Sequence, residues 1–132
     1  MVIVEEPKLD GDWSNEQLPG TWEGDMYFSA AQSGDPTATA TFAPDIPEDG
    51  HYAVYAWYRP TEEGTTSSKT TFHIKHTGGE TEWVQNQNHD TQTWKFIGTY
   101  YFEEGTNAEK GSVVVDNATG HEDQYVVVDA IR

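Results

Sequence analysis

Apolar and polar residues alternate in short runs along this chain, and nowhere do apolar positions recur at the spacing of an amphipathic helix. Gly, Pro, Asp and Asn punctuate the runs, as they do between strands. The pattern predicts strands over about 1 to 5, 25 to 31, 37 to 43, 51 to 58, 69 to 76, 81 to 87, 94 to 102, 112 to 116 and 124 to 131. About nine short strands without helices indicate an all-β fold, an antiparallel β-sandwich. Turn chemistry fits the gaps: Pro44-Asp45-Ile46-Pro47-Glu48-Asp49-Gly50 precedes one strand, Gly78-Gly79 marks a hairpin, and Glu103-Glu104-Gly105 follows another strand. Residues 61 to 68, TEEGTTSS, form a polar, flexible loop. At 132 residues, with no linker or repeat, the expectation is one domain over 1–132.

One stretch, GHYAVYAWYRP at 50 to 60, is aromatic on both of its alternate faces. Strand geometry groups Tyr52, Val54, Ala56 and Tyr58 on one side and His51, Ala53, Tyr55 and Trp57 on the other. One side belongs to the core, and alternation alone leaves open which.

Charge narrows the partners. Seven Lys and Arg stand against 23 Asp and Glu, a formal net charge of -16, which repels nucleic acid and anionic membranes. No apolar run is long enough to span a bilayer as a helix, so no membrane insertion is expected. The absence of cysteine removes disulfides, thiol chemistry and Cys-ligated zinc. MVIVEEPK has neither a basic n-region nor a cleavage site, the pattern of a mature module excised from a longer parent.

Catalytic constellations are hard to assemble. The acids sit mostly in turns such as Glu48-Asp49, Glu62-Glu63 and Glu103-Glu104, where they are solvated rather than paired for acid–base work. No Gly-x-Ser-x-Gly elbow is present. His73 and His76 are three apart on a strand and project to opposite faces, so they cannot share an ion. His76 is expected inward or at an edge, bonded to the Gly78-Gly79 turn, with His73 outward beside Lys75. Asp10-Gly11-Asp12 opens like an EF-hand loop but lacks the central Gly and final Glu. Asn117-Ala118-Thr119 is a glycosylation sequon of little weight. The expectation is a protein that is not an enzyme.

The segments IVEE, DWSNEQLPGTWEGDMYFS, TATATFAPDIPEDGHYAVYAWYRP, HIKHTGGETEWVQNQ, TWKFIGTYYFEEG, GSVVVDN and YVVVDAIR together resemble the golvesin C-terminal-like domain, which also ends xanthan lyases and other secreted bacterial enzymes. That family is similar to jelly-roll carbohydrate-binding modules and is regarded as non-catalytic. The resemblance implies that Tyr52, Val54, Ala56 and Tyr58 face inward, which leaves Tyr55 and Trp57 outward. It also implies that Trp94 is core. Trp57 departs from the polar or basic residue expected there.

An outward indole beside an outward phenol on an acidic surface either marks a contact site, since aromatic faces suit pyranose rings, or is covered by a neighbouring loop, since Trp is commonly largely buried. Trp22, in a Gly-flanked loop, is a second stacking candidate. Trp83, Gln85 and Gln87 share an inward face, which makes Gln87 a satisfied core amide and leaves Asn86 outward as a hydrogen-bonding group. Asp129 lies inside a terminal strand expected to run beside the first one, near Glu5 or Glu6. Sugar-binding jelly rolls often place a structural calcium in such a position, so Glu5, Glu6 and Asp129 are the metal candidates; no cofactor is otherwise required.

The reading is a jelly-roll-like, non-catalytic carbohydrate-binding accessory module of a secreted or surface protein. Its partner is polysaccharide, it works extracellularly or at the cell surface, and it is fused to further domains. The alternative is a structural or adhesive domain that packs against neighbouring domains or copies.

Overall fold

In the computed structural model, which describes residues 2–22 and 24–132, eleven strands follow one another: β1 (Lys8–Asp10), β2 (Ser14–Glu16), β3 (Met26–Ala30), β4 (Thr39–Phe42), β5 (Gly50–Trp57), β6 (Thr70–His76), β7 (Gly79–Gln85), β8 (Lys95–Phe102), β9 (Ser112–Asp116), β10 (Tyr125–Val128) and β11 (Ala130–Ile131). They form a five-stranded sheet, β1-β4-β9-β6-β7, and two three-stranded sheets, β10-β3-β2 and β11-β5-β8. Every pairing between these strands is antiparallel.

The core follows strand alternation. Ala40 and Phe42 of β4, Phe72 and Ile74 of β6, and Val113 and Val115 of β9 point inward from the larger sheet. Opposite them stand Val54 and Ala56 of β5, Ile97 and Phe102 of β8, Val126 and Val128 of β10, and Met26. Burial of these apolar faces is the dominant favourable term for a small β-domain. Gln87 is a satisfied core amide, as its phase implied. Its carbonyl accepts from Thr70 Oγ1 at 2.7 Å and Val127 N at 2.9 Å, and its amide donates to Val127 O at 2.7 Å.

Both ends of the chain depart from the expected strands. Of the strand expected over 1 to 5, residue 1 lies outside the described residues and residues 2 to 5 do not form a regular strand; Val4 makes an isolated bridge to Ile131, with bonds of 2.8 and 2.9 Å. The expected strand over 124–131 is broken at Asp129, where the chain leaves the β3 sheet as β10 and joins β5 as β11. β1 and β2, three residues each, are too short to carry an alternation in the sequence.

A bulge in β8 positions the outer surface of the third sheet. Ala53 pairs with Thr99 but Tyr55 pairs with Phe96, so an extra residue is accommodated at Gly98, whose φ is +117°. The bulge resets the alternation: Ile97 and Phe102 both face the core, while Phe96 and Tyr101 both face outward. The Tyr100 hydroxyl donates to Ile97 O at 2.6 Å and lies where a Cβ on residue 98 would be. Gly98→Ala should therefore cost about 1 to 3 kcal/mol, from the left-handed backbone and the displaced Tyr100. Urea denaturation checks this; an unchanged midpoint would mean that the bulge relaxes freely.

Candidate functional site

The outer face of the β5–β8 ribbon carries aromatic side chains in cross-strand rungs. His51 sits opposite Tyr101 and Tyr55 opposite Phe96, and the ring centroids of each pair lie 5.1 and 5.6 Å apart. Trp57, next along β5, meets Trp94 at 5.4 Å and Trp22 at 5.2 Å, and the last two meet at 4.8 Å. From His51 to Trp57 the strip is ~20 Å long at the usual strand rise. Phe96 is 46% exposed and Tyr101 38% exposed, so apolar surface is open to solvent here on a chain of net charge -16.

A cation lies over the strip. Arg132, held to Tyr55 by backbone bonds of 2.8 and 2.9 Å, places its guanidinium 4.7 Å from the Tyr55 ring centre and 5.1 Å from that of Trp94. Beside Tyr55 and Arg132 opens a groove of about 360 Å³ between residues 2–4, the Pro44–Pro47 turn and β5. Its lining of Val4, Ile46, Tyr52 and Phe102 is mainly apolar.

The expected faces of β5 are the observed ones: Val54, Ala56 and Tyr58 are buried, Tyr52 is half-buried against the core, and His51 and Ala53 are exposed. Tyr55 and Trp57 point to the outer side but are half-buried. The reason at Trp57 is the 17–22 loop. Trp57 Nε1 donates to Gly20 O at 3.0 Å, and Arg59 donates to Pro19 O at 2.7 Å, so the loop lays Trp22 against Trp57. Trp94 is not a core residue as expected; it lies half-buried in the tryptophan trio on the outer side. Asn86 is half-buried, and its carbonyl caps its own turn by accepting from Asn88 at 3.0 and 3.2 Å. No contact among the described residues joins it to the strip.

Phe96, Tyr101 and Arg132 are the strip residues that sequence reasoning passed over. The signal was present in KFIGTYYF, where a single Gly between two alternating halves is the mark of a bulge.

Asp129 lies at the rear of the trio. It is 2% exposed; Oδ2 accepts the Trp22 N–H at 2.7 Å, while Oδ1 is buried with no hydrogen-bond partner among the described residues. Burial pushes its carboxyl up to about 7 against the pull of the Trp22 bond, and the charges of Glu5 and Asp25 add to the rise. Glu5 is thus brought near, as expected from the bridge at Val4. Glu6 is exposed and is not among the charges that act on Asp129, whereas Asp25, unforeseen, is.

The histidines are placed on different sides, in line with their spacing. His76 bonds Thr81 Oγ1 at 2.9 Å and stacks on Tyr100 at 5.2 Å, rather than bonding the glycine turn. His73 stands between Asp116 and Glu80; the bond to Asp116, opposed by burial and helped by Glu80, raises its pKa to about 9. Asn117 is buried, accepting from the backbone of Thr37 and Ala38 and donating to Ala30 O, so the sequon amide is committed to the fold.

The golvesin C-terminal domain model matches residues 4–132. A xanthan lyase of Bacillus sp. (strain GL1) is 30% identical over 123 residues, 92% of this chain and 13% of that protein. The structure of a Paenibacillus xanthan lyase superposes with a TM-score of 0.84 at 25% identity, over 98% of this chain and 12% of the lyase. A family 35 carbohydrate-binding module from Clostridium thermocellum gives 0.64 at 14% identity, over 98% of this chain and 96% of the module, a likeness of fold. The chain thus spans about an eighth of the length of these lyases.

Asp129 makes stability depend on pH in a defined direction. Its carboxyl holds a proton to about 7 in the native state but only to its ordinary 3.8 when unfolded, so the native state binds more protons between those values. Stability from this group is complete below 3.8 and is lost as pH rises through about 7. In chelator, Asp129→Asn should remove that part of the fall in urea midpoint between the two ends of the window. An identical fall in the variant would show that Asp129 is ionised throughout.

Proposed function

The chain belongs to the golvesin C-terminal domain family, and from that premise we propose that it is a non-catalytic, polysaccharide-binding accessory module of a larger secreted or surface protein. The observation that carries the reading is the aromatic strip of β5 and β8, with Phe96 46% exposed at its centre. Sugar rings bind aromatic faces through their C–H surfaces, while hydroxyls take hydrogen bonds from the rim. Arg132 supplies five N–H donors beside Tyr55, and the covered Trp57 and Trp22 hold the strip in place. The sandwich shared with a family 35 module and the match to xanthan lyases support the same reading. Binding raises the local concentration of an attached catalytic domain at its substrate. Uncharged glycans are favoured over polyanions, because the net charge of -16 repels the latter.

A structural or adhesive role is the second reading, and exposed Phe96 is also what would favour it, since a protein partner can cover the same ring.

A calcium at Asp129 is part of the proposal. The support is the buried Oδ1 of Asp129, which has no hydrogen-bond partner among the described residues, together with the negative charges of Glu5 and Asp25 that act on this carboxyl; these three residues do not gather ligand atoms within 4.8 Å of one another, so the ion would have to draw Glu5 and Asp25 in. The ion would supply charge neutralisation there; the backbone of Trp22 stays bound to Oδ2 and so ties the trio to the same point.

Two measurements test these readings. By isothermal titration, Tyr55→Ala and Phe96→Ala should each weaken binding of an uncharged glucan by about 1 to 3 kcal/mol. Val84→Ala, at a 59% exposed position on the other sheet, should leave it unchanged. Binding that survives both strip variants, or no binding to any polysaccharide, favours the protein-docking role. Separately, calcium should raise the melting temperature of the wild type and not of Asp129→Asn. An unchanged melt with and without chelator contradicts the calcium.

A further inference from the structure

The outer face of the five-stranded sheet carries a cluster that the strip does not use. β6 and β7 are joined by a hairpin in which His76 pairs with Gly79, and that register sets His73 directly across from Glu82 and Lys75 across from Glu80. From the other side, β9 pairs Val114 with His73 and brings Asp116 alongside. The imidazole is held at both nitrogens, Nε2 at 2.6 Å from Asp116 Oδ2 and Nδ1 at 3.0 Å from Glu80 Oε2. One ligand atom from each of His73, Glu80 and Glu82 lies within 4.8 Å of the other two. The Glu82 carboxylate has no hydrogen bond or ion pair among the described residues.

We propose that His73, Glu80 and Glu82 form a binding site for a borderline first-row divalent cation such as Zn²⁺, with Asp116 as the group that positions the imidazole. A carboxylate bound to one imidazole N–H fixes the tautomer and orients the other nitrogen, and ligating histidines are commonly held this way. Asp116 does this at Nε2, which turns Nδ1 toward the two glutamates. One nitrogen and two carboxylates suit zinc; calcium and magnesium prefer oxygen alone. Three protein ligands leave a fourth tetrahedral position for water or a ligand oxygen. Lys75 stands across from Glu80 in the ladder without an ion pair to it among the described residues. The ion would join β6 to β7, the edge strand of its sheet.

The test is calorimetric titration of the chelator-washed protein with Zn²⁺ alone. One ion should bind per chain. His73→Ala and Glu82→Gln should each weaken it roughly tenfold or more, and Asp116→Asn by about 10- to 100-fold. Glu82 is exposed, so Glu82→Gln keeps the fold and isolates the loss of a ligand. Asp129→Asn should leave zinc binding unchanged, which separates this site from the calcium position. Zn²⁺ should also raise the melting temperature of the wild type and not of Glu82→Gln, and excess Ca²⁺ should not displace it. The proposal is overturned by an absence of saturable binding, by affinity unchanged in both His73→Ala and Glu82→Gln, or by displacement with Ca²⁺.

Discussion

The alternation of side chains along β5 is the constraint on which both the core and the site depend. Once Val54, Ala56 and Tyr58 are committed to the interior, period two leaves Tyr55 and Trp57 on the outer face. The pairing with β8 would ordinarily put whatever aromatics that strand carries on an arbitrary face. Gly98 removes the arbitrariness: one extra residue shifts the phase, so Phe96 and Tyr101 join the β5 aromatics outside while Ile97 and Phe102 complete the core. A fold requirement and a binding surface are thus met by the same eight-residue strands.

Asp129 couples that surface to the rest of the sandwich. The chain changes sheets at this residue, and its carboxylate takes the Trp22 N–H, so the loop that covers Trp57 is anchored where β10 hands over to β11. A buried carboxylate with one oxygen unsatisfied is costly unless a proton or a cation neutralises it. Either occupant stabilises the loop as well as the strand junction. The tryptophan trio is accordingly more a buttress than a platform, and the open apolar surface of the strip lies further along it, at Phe96 and Tyr101.

Period-two patterning made much of this legible. The sandwich class, the two faces of β5, the buried Gln87 and the β6–β7 hairpin, expected at Gly78-Gly79 and found one residue earlier with Gly79 already paired to His76, all follow from residues within a few positions of one another. What could not be read was set by register between distant segments. The family resemblance implied a core Trp94, yet its ring contacts with Trp57 at the end of β5 and with Trp22 place it in the trio on the outer side. The split at Asp129 is likewise invisible in YVVVDAIR, since both halves read as one apolar strand. His73, Glu80 and Glu82 are separated by a turn, and Asp116 comes from 43 residues beyond His73. β1 and β2 are too short to carry a period at all.

Backbone amide mapping during titration with a bound oligosaccharide tests the central claim most directly. With the sugar on the β5–β8 face, the largest shifts fall on Tyr55, Trp57, Phe96 and Tyr101 and their neighbours, and the outer face of β6 and β7 stays silent. Shifts concentrated on β6, β7 and β9, or on the loops alone, would contradict the account.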